Sequence, residues 1–360
     1  MVEAGFDLTL VSSPGSQLEE VARESGARCH AIRMPREISP GGDIRALRAL
    51  AGYLRQERFD LVHSSTPKAG LLVALAGAAA RTPLRLHTYT GQPWVELRGP
   101  KRWAAKNADR AVGRLDTHLY CDSESQRRFL VSHRIVPEGR IRVLGAGSIS
   151  GVDLRRFDPD ARQFEGQHLR DSMGIGPDAI VVAFVGRVTR DKGIRELIAA
   201  FSRLAGETAQ LHLLLVGPQE PERDPLPPET QREIAANPHI HAVGFTGAPE
   251  RYLAAADLFC LPSYREGFGS VAIEAGAMRL PSVVTSVTGL VDAIVDGQTG
   301  LVVPPKDTAA LGQALRQLIA DPVLRRRMGA ASRARAVSHF DADVVNGLVV
   351  GEYRRLLATS

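Results

Sequence analysis

Glu266 and Glu274 stand with seven residues between them, and that interval opens on Gly267, Phe268 and Gly269. Two carboxylates flanking a helix entry suit either acid and base work or the binding of hydroxyl groups, and their spacing leaves both open. A glycine-rich turn into a helix aims backbone N–H groups outward at the positive end of the helix dipole, which favours a bound phosphate. Glu274 falls one turn inside the helix, which is expected to continue through Met278, and can accept hydrogen bonds from a pair of sugar hydroxyls. A second group lies upstream, where Gly186-Arg187 follows an apolar run and Lys192-Gly193 comes five residues later. Arg187 can fork onto phosphate oxygens and Lys192 can add a point charge; the plainer alternative is two solvated surface cations. Gly244-Phe245 forms a third, weaker signal, a short turn able to present backbone groups to a base, with Phe245 equally suited to ordinary packing.

These residues need strands and helices to place them. Ile180 to Val185, Leu211 to Val216, His239 to Val243, Leu258 to Leu261, Ser282 to Thr285 and Leu301 to Val303 read as strands with helices between them. Short apolar runs alternating with helical periods predict βαβ units on a parallel sheet. Such sheets place ligands at the carboxyl ends of their strands, where Arg187 and the loop of Glu266 fall. The proline- and charge-rich stretch Pro218 to Pro228 reads as a surface loop, Asp307 to His339 as helical, and Val344 to Leu357 as a terminal amphipathic helix.

The first half has the same rhythm. Strands are expected at Phe6 to Ser13, Cys29 to Arg33, Leu61 to Ser64, Leu84 to Thr88 and Thr117 to Cys121, with helices at Gln17 to Ser25, Gly42 to Glu57, Lys68 to Ala80 and Arg98 to Arg114. Only Met1 to Gly5 precedes the first of these, so a sheet lacking its usual first strand and loop is expected. Gly145 to Gly151 has the composition of a linker. It divides residues 1–150, the first Rossmann-like domain, from a second at 151–340, and residues 341–360 are expected to cross back to the first.

At 360 residues the chain suits two α/β domains of about 150 residues each. With 44% apolar and 24% charged residues it excludes a disordered or fibrous protein. The net charge of +5 favours anionic partners without separating nucleic acid, nucleotide and acidic lipid. Cys29, Cys121 and Cys260 are isolated, which argues against a zinc site or disulfide framework and fits a reducing cytoplasm. The longest apolar run, Ala69 to Ala80, falls short of the roughly twenty residues that span a bilayer.

Taken together, Gly186-Arg187, Lys192-Gly193, Gly244-Phe245, the stretch PSYREGFGSVAIEAGAMRLPSVVT and the distal DGQTGLVVPP resemble a family 4 retaining glycosyltransferase of the GT-B fold. The two glutamates match that family's Glu-x7-Glu signature. VSSPG, REISP, VHSSTPKAG and GVDLRRF resemble its subgroup that makes bacterial surface polysaccharide or lipid-linked glycan. The resemblance implies two Rossmann-like domains facing across a cleft. Arg187 and Lys192 would hold the donor diphosphate. Glu266 with Gly267, Phe268 and Gly269 would orient the sugar and its phosphates, and Glu274 would hold the ribose. Gly186, Gly244 and Phe245 complete the donor-binding set. Neither metal nor cofactor is expected.

The resemblance also implies a nucleotide-diphosphate sugar as donor, with UDP favoured over GDP, a lipid-linked or glycan acceptor, and no nucleic acid. On the acceptor side Lys68 and His87 are candidates, each with a structural alternative, as is His63; Thr90 departs from the histidine or arginine common among relatives. The cations from Arg98 to Arg114, with Trp94 and Trp103, suit contact with an anionic membrane at its inner, cytoplasmic face, against the alternative of a solvated helix. Two rival functions share the fold: a nucleotide-sugar epimerase, and a nucleotide-sugar-binding remnant without transfer.

Overall fold

The structure, a computed structural model, describes residues 1–35, 39–208 and 210–359. Arg36, Glu37 and Ile38 of the REISP stretch lie outside the described residues. The chain forms two compact units, Met1–Gly147 with Asn346–Ser360, and Ser148–Val345.

The first unit runs β1 (Thr9–Ser12), α1 (Ser16–Ser25), β2 (Arg28–Ala31), α2 (Pro40–Glu57), β3 (Leu61–Ser64), α3 (Pro67–Ala80), β4 (Leu84–Tyr89), α4 (Gly99–Leu115), β5 (His118–Cys121), α5 (Glu124–Ser132) and β6 (Ile141–Val143). All its strands pair in parallel, β1 with β2, and β3 to β6 in sequence order as a second sheet. Two of these elements have no counterpart in the sequence reading. β6 has only three residues, too few to show a period, and α5 is set by its cap, where the Ser123 hydroxyl accepts the Gln126 N–H at 3.2 Å. The first strand is shorter than the expected Phe6 to Ser13; Phe6 instead packs edge to face on Tyr353, with centroids 5.9 Å apart.

The second unit runs α6 (Gln163–Ser172), β7 (Ile180–Val185), α7 (Ile194–Ala205), β8 (Leu211–Val216), α8 (Pro228–Ala236), β9 (Ile240–Gly244), α9 (Pro249–Ala254), β10 (Leu258–Leu261), α10 (Ser270–Ala277), β11 (Ser282–Thr285), α11 (Leu290–Ala293), β12 (Gly300–Val303), α12 (Thr308–Ala320) and α13 (Pro322–His339). Its six strands lie parallel in the order β12-β11-β10-β7-β8-β9. Helices cover both faces of such a sheet, which is why β7 and β8 read as nearly unbroken apolar runs. In α7 the buried Ile194, Leu197, Ile198, Phe201 and Leu204 repeat at helical spacing and form one packed stripe. The helical stretch after Asp307 is broken once, because Asp321 caps a new helix by accepting from the Val323 and Leu324 N–H groups and Pro322 cannot continue the old one.

The last helix, α14 (Ala342–Leu357), begins in the second unit and ends in the first. Its Leu356 is buried with Leu84, Leu86 and Tyr120, closing one side of the first unit's core.

Candidate functional site

The strand order reverses between β7 and β10. From β7 the chain winds outward through β8 and β9, and from β10 it winds the other way through β11 and β12. The connections that follow β7 and β10 therefore part at the carboxyl edge and leave a crevice, the place where open α/β sheets take ligands. One of these loops carries Gly186, Arg187 and Lys192; the other carries Glu266 and the glycines that lead into α10.

The structure brings the two loops into contact. Lys192 ends a 3-10 turn, Arg190–Lys192, and its Nζ lies 2.6 Å from Glu266 Oε1. The Ser263 hydroxyl donates to the same oxygen at 2.7 Å. Behind this pair the Tyr264 N–H donates to the Asp191 carbonyl at 2.9 Å, and the Tyr264 hydroxyl donates to Glu196 at 2.6 Å. Glu196 is buried in α7, so the loop after β10 is tied to the helix that follows β7.

Arg187 is held by two carboxylates, Glu220 at 2.8 Å and Asp191 at 3.2 Å. Asp191 is itself fixed, accepting from the Thr189 hydroxyl at 2.6 Å while its N–H donates to Asp224 at 2.7 Å. The reading of Arg187 and Lys192 as freely solvated cations is thus set aside, since each has an acidic partner. Glu220 and Asp224 escaped the sequence reading: they sit in the Pro218 to Pro228 loop, which from its composition is only surface. The signal that could have found them is the run of acids, Glu220, Glu222 and Asp224, in the connection next after that of Arg187.

Gly269 caps α10 in the left-handed region, φ 79°, where a side chain is strained, and a Cβ there would come within 2.3 Å of Leu290. Phe268 is buried against Phe340, with centroids 5.4 Å apart, so its part is to fix the loop. Glu274 lies on α10 as expected. Burial raises its carboxyl above the usual range, Glu250 adds to the effect and Arg156 opposes it. Arg156 belongs to the GVDLRRF stretch; it pairs with Glu250 at 2.8 Å and donates to the Gly247 carbonyl at 2.5 Å. Phe245 is 81% exposed beside Gly244, which removes the ordinary-packing alternative.

In the first unit Lys68 opens α3 and is occupied, its Nζ lying 2.6 Å from Asp43 and donating to the Pro35 carbonyl. His87 is buried, with Nδ1 2.7 Å from the Ser64 hydroxyl and its ring against Gly70. Burial, with some help from His63, lowers its pKa to about 3, so the ring is neutral at physiological pH. Thr90 donates to the Ser65 carbonyl at 3.0 Å.

Trp94 needs a correction. It is 1% exposed and donates to the buried Asp109 at 2.7 Å, so it is a core residue and unavailable to a membrane. Trp103 is 71% exposed on α4, near the exposed Lys101 and Arg102. No helix among the described residues is long and apolar enough to cross a membrane. Nor, among those residues, does any group of three or more His, Cys, Asp or Glu converge to hold a metal ion.

Residues 1–147 match the model of the glycosyl transferase 4-like domain, and residues 167–335 match that of glycosyl transferases group 1. The capsular polysaccharide biosynthesis glycosyltransferase CapM of Staphylococcus aureus is 30% identical over 340 residues, covering 94% of this chain and 87% of CapM. A D-inositol 3-phosphate glycosyltransferase of Streptomyces avermitilis is 33% identical over 307 residues, 81% of this chain, which spans only 64% of that relative. Among solved structures, HepE of Anabaena in complex with UDP superposes with a TM-score of 0.81 at 18% identity, over 98% of this chain and 94% of HepE. A relative of CapM's identity along nearly its whole length, and two models that divide the sequence where the structure does, place this chain in the family 4 glycosyltransferases of GT-B fold, of the surface-polysaccharide type.

Proposed function

We propose that the chain is a retaining glycosyltransferase that takes a sugar from a nucleotide-diphosphate donor, UDP-linked in preference to GDP-linked, and passes it to a lipid-linked or glycan acceptor in bacterial surface-polysaccharide synthesis. The observation that carries this reading is the meeting of Lys192 and Glu266 at 2.6 Å over the crevice between β7 and β10. CapM's role in capsular polysaccharide biosynthesis and the UDP bound to HepE support it.

In this reading Arg187 and Lys192 hold the donor diphosphate and balance the charge that grows on it as the bond from the sugar's anomeric carbon to phosphate breaks. The acceptor oxygen bonds to that carbon from the same face, and its proton passes to the departing phosphate oxygen. Glu266 orients the sugar and Glu274 the ribose hydroxyls, so they are not an acid and nucleophile pair of the glycosidase kind. The first turn of α10 and two cations supply the positive field at the diphosphate without a metal ion.

Donor binding is tested by thermal shift. UDP at a hundredfold excess over its dissociation constant adds about 2.7 kcal/mol to the folded state, so a rise of several degrees in Tm is expected, and free glucose should leave Tm unmoved. A protein whose melting responds to neither UDP nor GDP would refute the reading.

Contact with an anionic membrane is proposed through α4, with Trp103, Lys101 and Arg102 as the exposed group, placing the enzyme at the cytoplasmic face. Each cation near such a surface contributes about 1 kcal/mol. The double variant Lys101→Glu with Arg102→Glu should therefore bind phosphatidylglycerol vesicles at least about tenfold more weakly in a sedimentation assay. Equal binding would show that α4 is merely solvated.

A further inference from the structure

The first unit holds a basic cavity away from Lys68 and His87. Its volume is about 200 Å³, and it opens between the start of β5, the start of β6 and the last turns of α14. Strands of a parallel sheet all begin at one edge, so this cavity lies opposite the edge where β3 hands on to Lys68.

Three guanidinium groups line it, those of Arg140, Arg142 and Arg355, together with His118, against the single carboxylate of Glu352. Arg355 is neutralised, its Nε and Nη2 each donating to Glu352 at 2.8 Å, and Tyr120 donates to the same carboxylate at 2.6 Å. The other two are not. Arg140 donates to a neutral group, the Asp116 carbonyl, at 2.9 Å, and the Arg142 guanidinium has neither a hydrogen-bond nor a carboxylate partner within bonding distance among the described residues. The side chain of His118 registers the resulting field: burial lowers its pKa first, and Arg355, Arg142 and Arg140 lower it further against the pull of Glu352.

A guanidinium fork matches the oxygens of phosphate, and two of them converging on one cavity form a recognition geometry for a doubly charged oxyanion. We propose that this cavity binds a phosphomonoester or inorganic phosphate through Arg142 and Arg140, with the His118 ring as a further donor, at a site separate from the donor crevice. The site requires nothing of the transfer reaction and stands whether or not the donor reading holds.

Titration calorimetry of the full chain with inorganic phosphate tests it. Arg142→Glu should weaken binding by about tenfold or more, the loss expected when a charge-assisted hydrogen bond is removed. Arg142→Lys should stay close to wild type, and Arg23→Glu, at an exposed cation on α1 away from both sites, should change nothing. Arg142 is exposed and makes no side-chain bond, so Arg142→Glu is expected to melt like wild type, and a far-UV melt checks this. Phosphate binding should also move the NMR titration of the His118 ring to higher pH, because an anion favours the imidazolium. A parallel arm with phosphatidic acid vesicles separates the sources: vesicle binding abolished by Arg142→Glu assigns the phosphomonoester to a lipid headgroup, and binding of free phosphate alone assigns it to a soluble ligand. The proposal is overturned if neither is bound, or if Arg142→Glu binds both as well as wild type.

Discussion

Replacing Lys192 with alanine is expected to lower kcat by about 100- to 1,000-fold, the loss that follows removal of one preorganised donor from a site of developing negative charge. Lys192 lies 2.6 Å from Glu266, the carboxylate proposed to orient the sugar. In the proposed reaction its charge is most useful as the diphosphate departs, so the effect should fall on kcat more than on KM. The fold should survive. Glu266 keeps the Ser263 hydroxyl, and the loop remains tied through Tyr264 to Asp191 and Glu196. Arg187→Ala should fall in the same range, since its two carboxylate partners, Glu220 and Asp191, can release it to a phosphate of higher charge. Steady-state transfer from a UDP-sugar, paired with a far-UV melt, provides the measurement. Undiminished turnover in a folded Lys192→Ala protein would remove these residues from the reaction.

The second large effect is expected in stability, at Gly193. This residue has φ 71°, a conformation that costs an L side chain about 1–2 kcal/mol. A Cβ there would sit 2.0 Å from the Pro262 carbonyl oxygen, a backbone atom that cannot turn aside. Gly193→Ala must therefore push the loop after β7 away from the loop after β10, at a total cost of about 3 kcal/mol or more. For a unit of this size that is a fall in Tm of roughly 6–12 °C. Gly174→Ala provides the control, because Gly174 has φ 69° with nothing within 4 Å of the added carbon. Its cost should be only the backbone strain. Similar melting of the two variants in calorimetry would mean that the close approach at Pro262 does not constrain the loops. The distance between Lys192 and Glu266 depends on the same approach, so Gly193→Ala should also lose activity.

Much of the arrangement around Lys192 and Glu266 was legible from the residues because its parts are local. A glycine turn into a helix, a carboxylate before it and another a turn inside are one contiguous stretch, and Arg187 and Lys192 fall within another. The restraints on those parts were not legible. Glu220 and Asp224 come from a loop whose composition says only that it is exposed, and nothing in a list of acids says which will reach Arg187. The two tryptophans show the same limit: Trp94 and Trp103 lie nine residues apart beside the same cations, yet one is buried on Asp109 and the other is exposed. Trp94 sits in a 3-10 turn, Pro93–Val95, ahead of α4, and the packing of Phe129 and His133 over its ring decides that difference.

Except for α5 and β6, residue order was sufficient for the alternation of strands and helices, because apolar period and turn chemistry act over a few neighbours. It was sufficient also for the types of residue at each strand end. The pairing of strands was decided only in three dimensions. β7 and β10 are separated by more than seventy residues, and their adjacency comes from how helices on both faces pack the sheet, which no local period encodes. That adjacency turns two cations and a carboxylate from separate loops into one crevice.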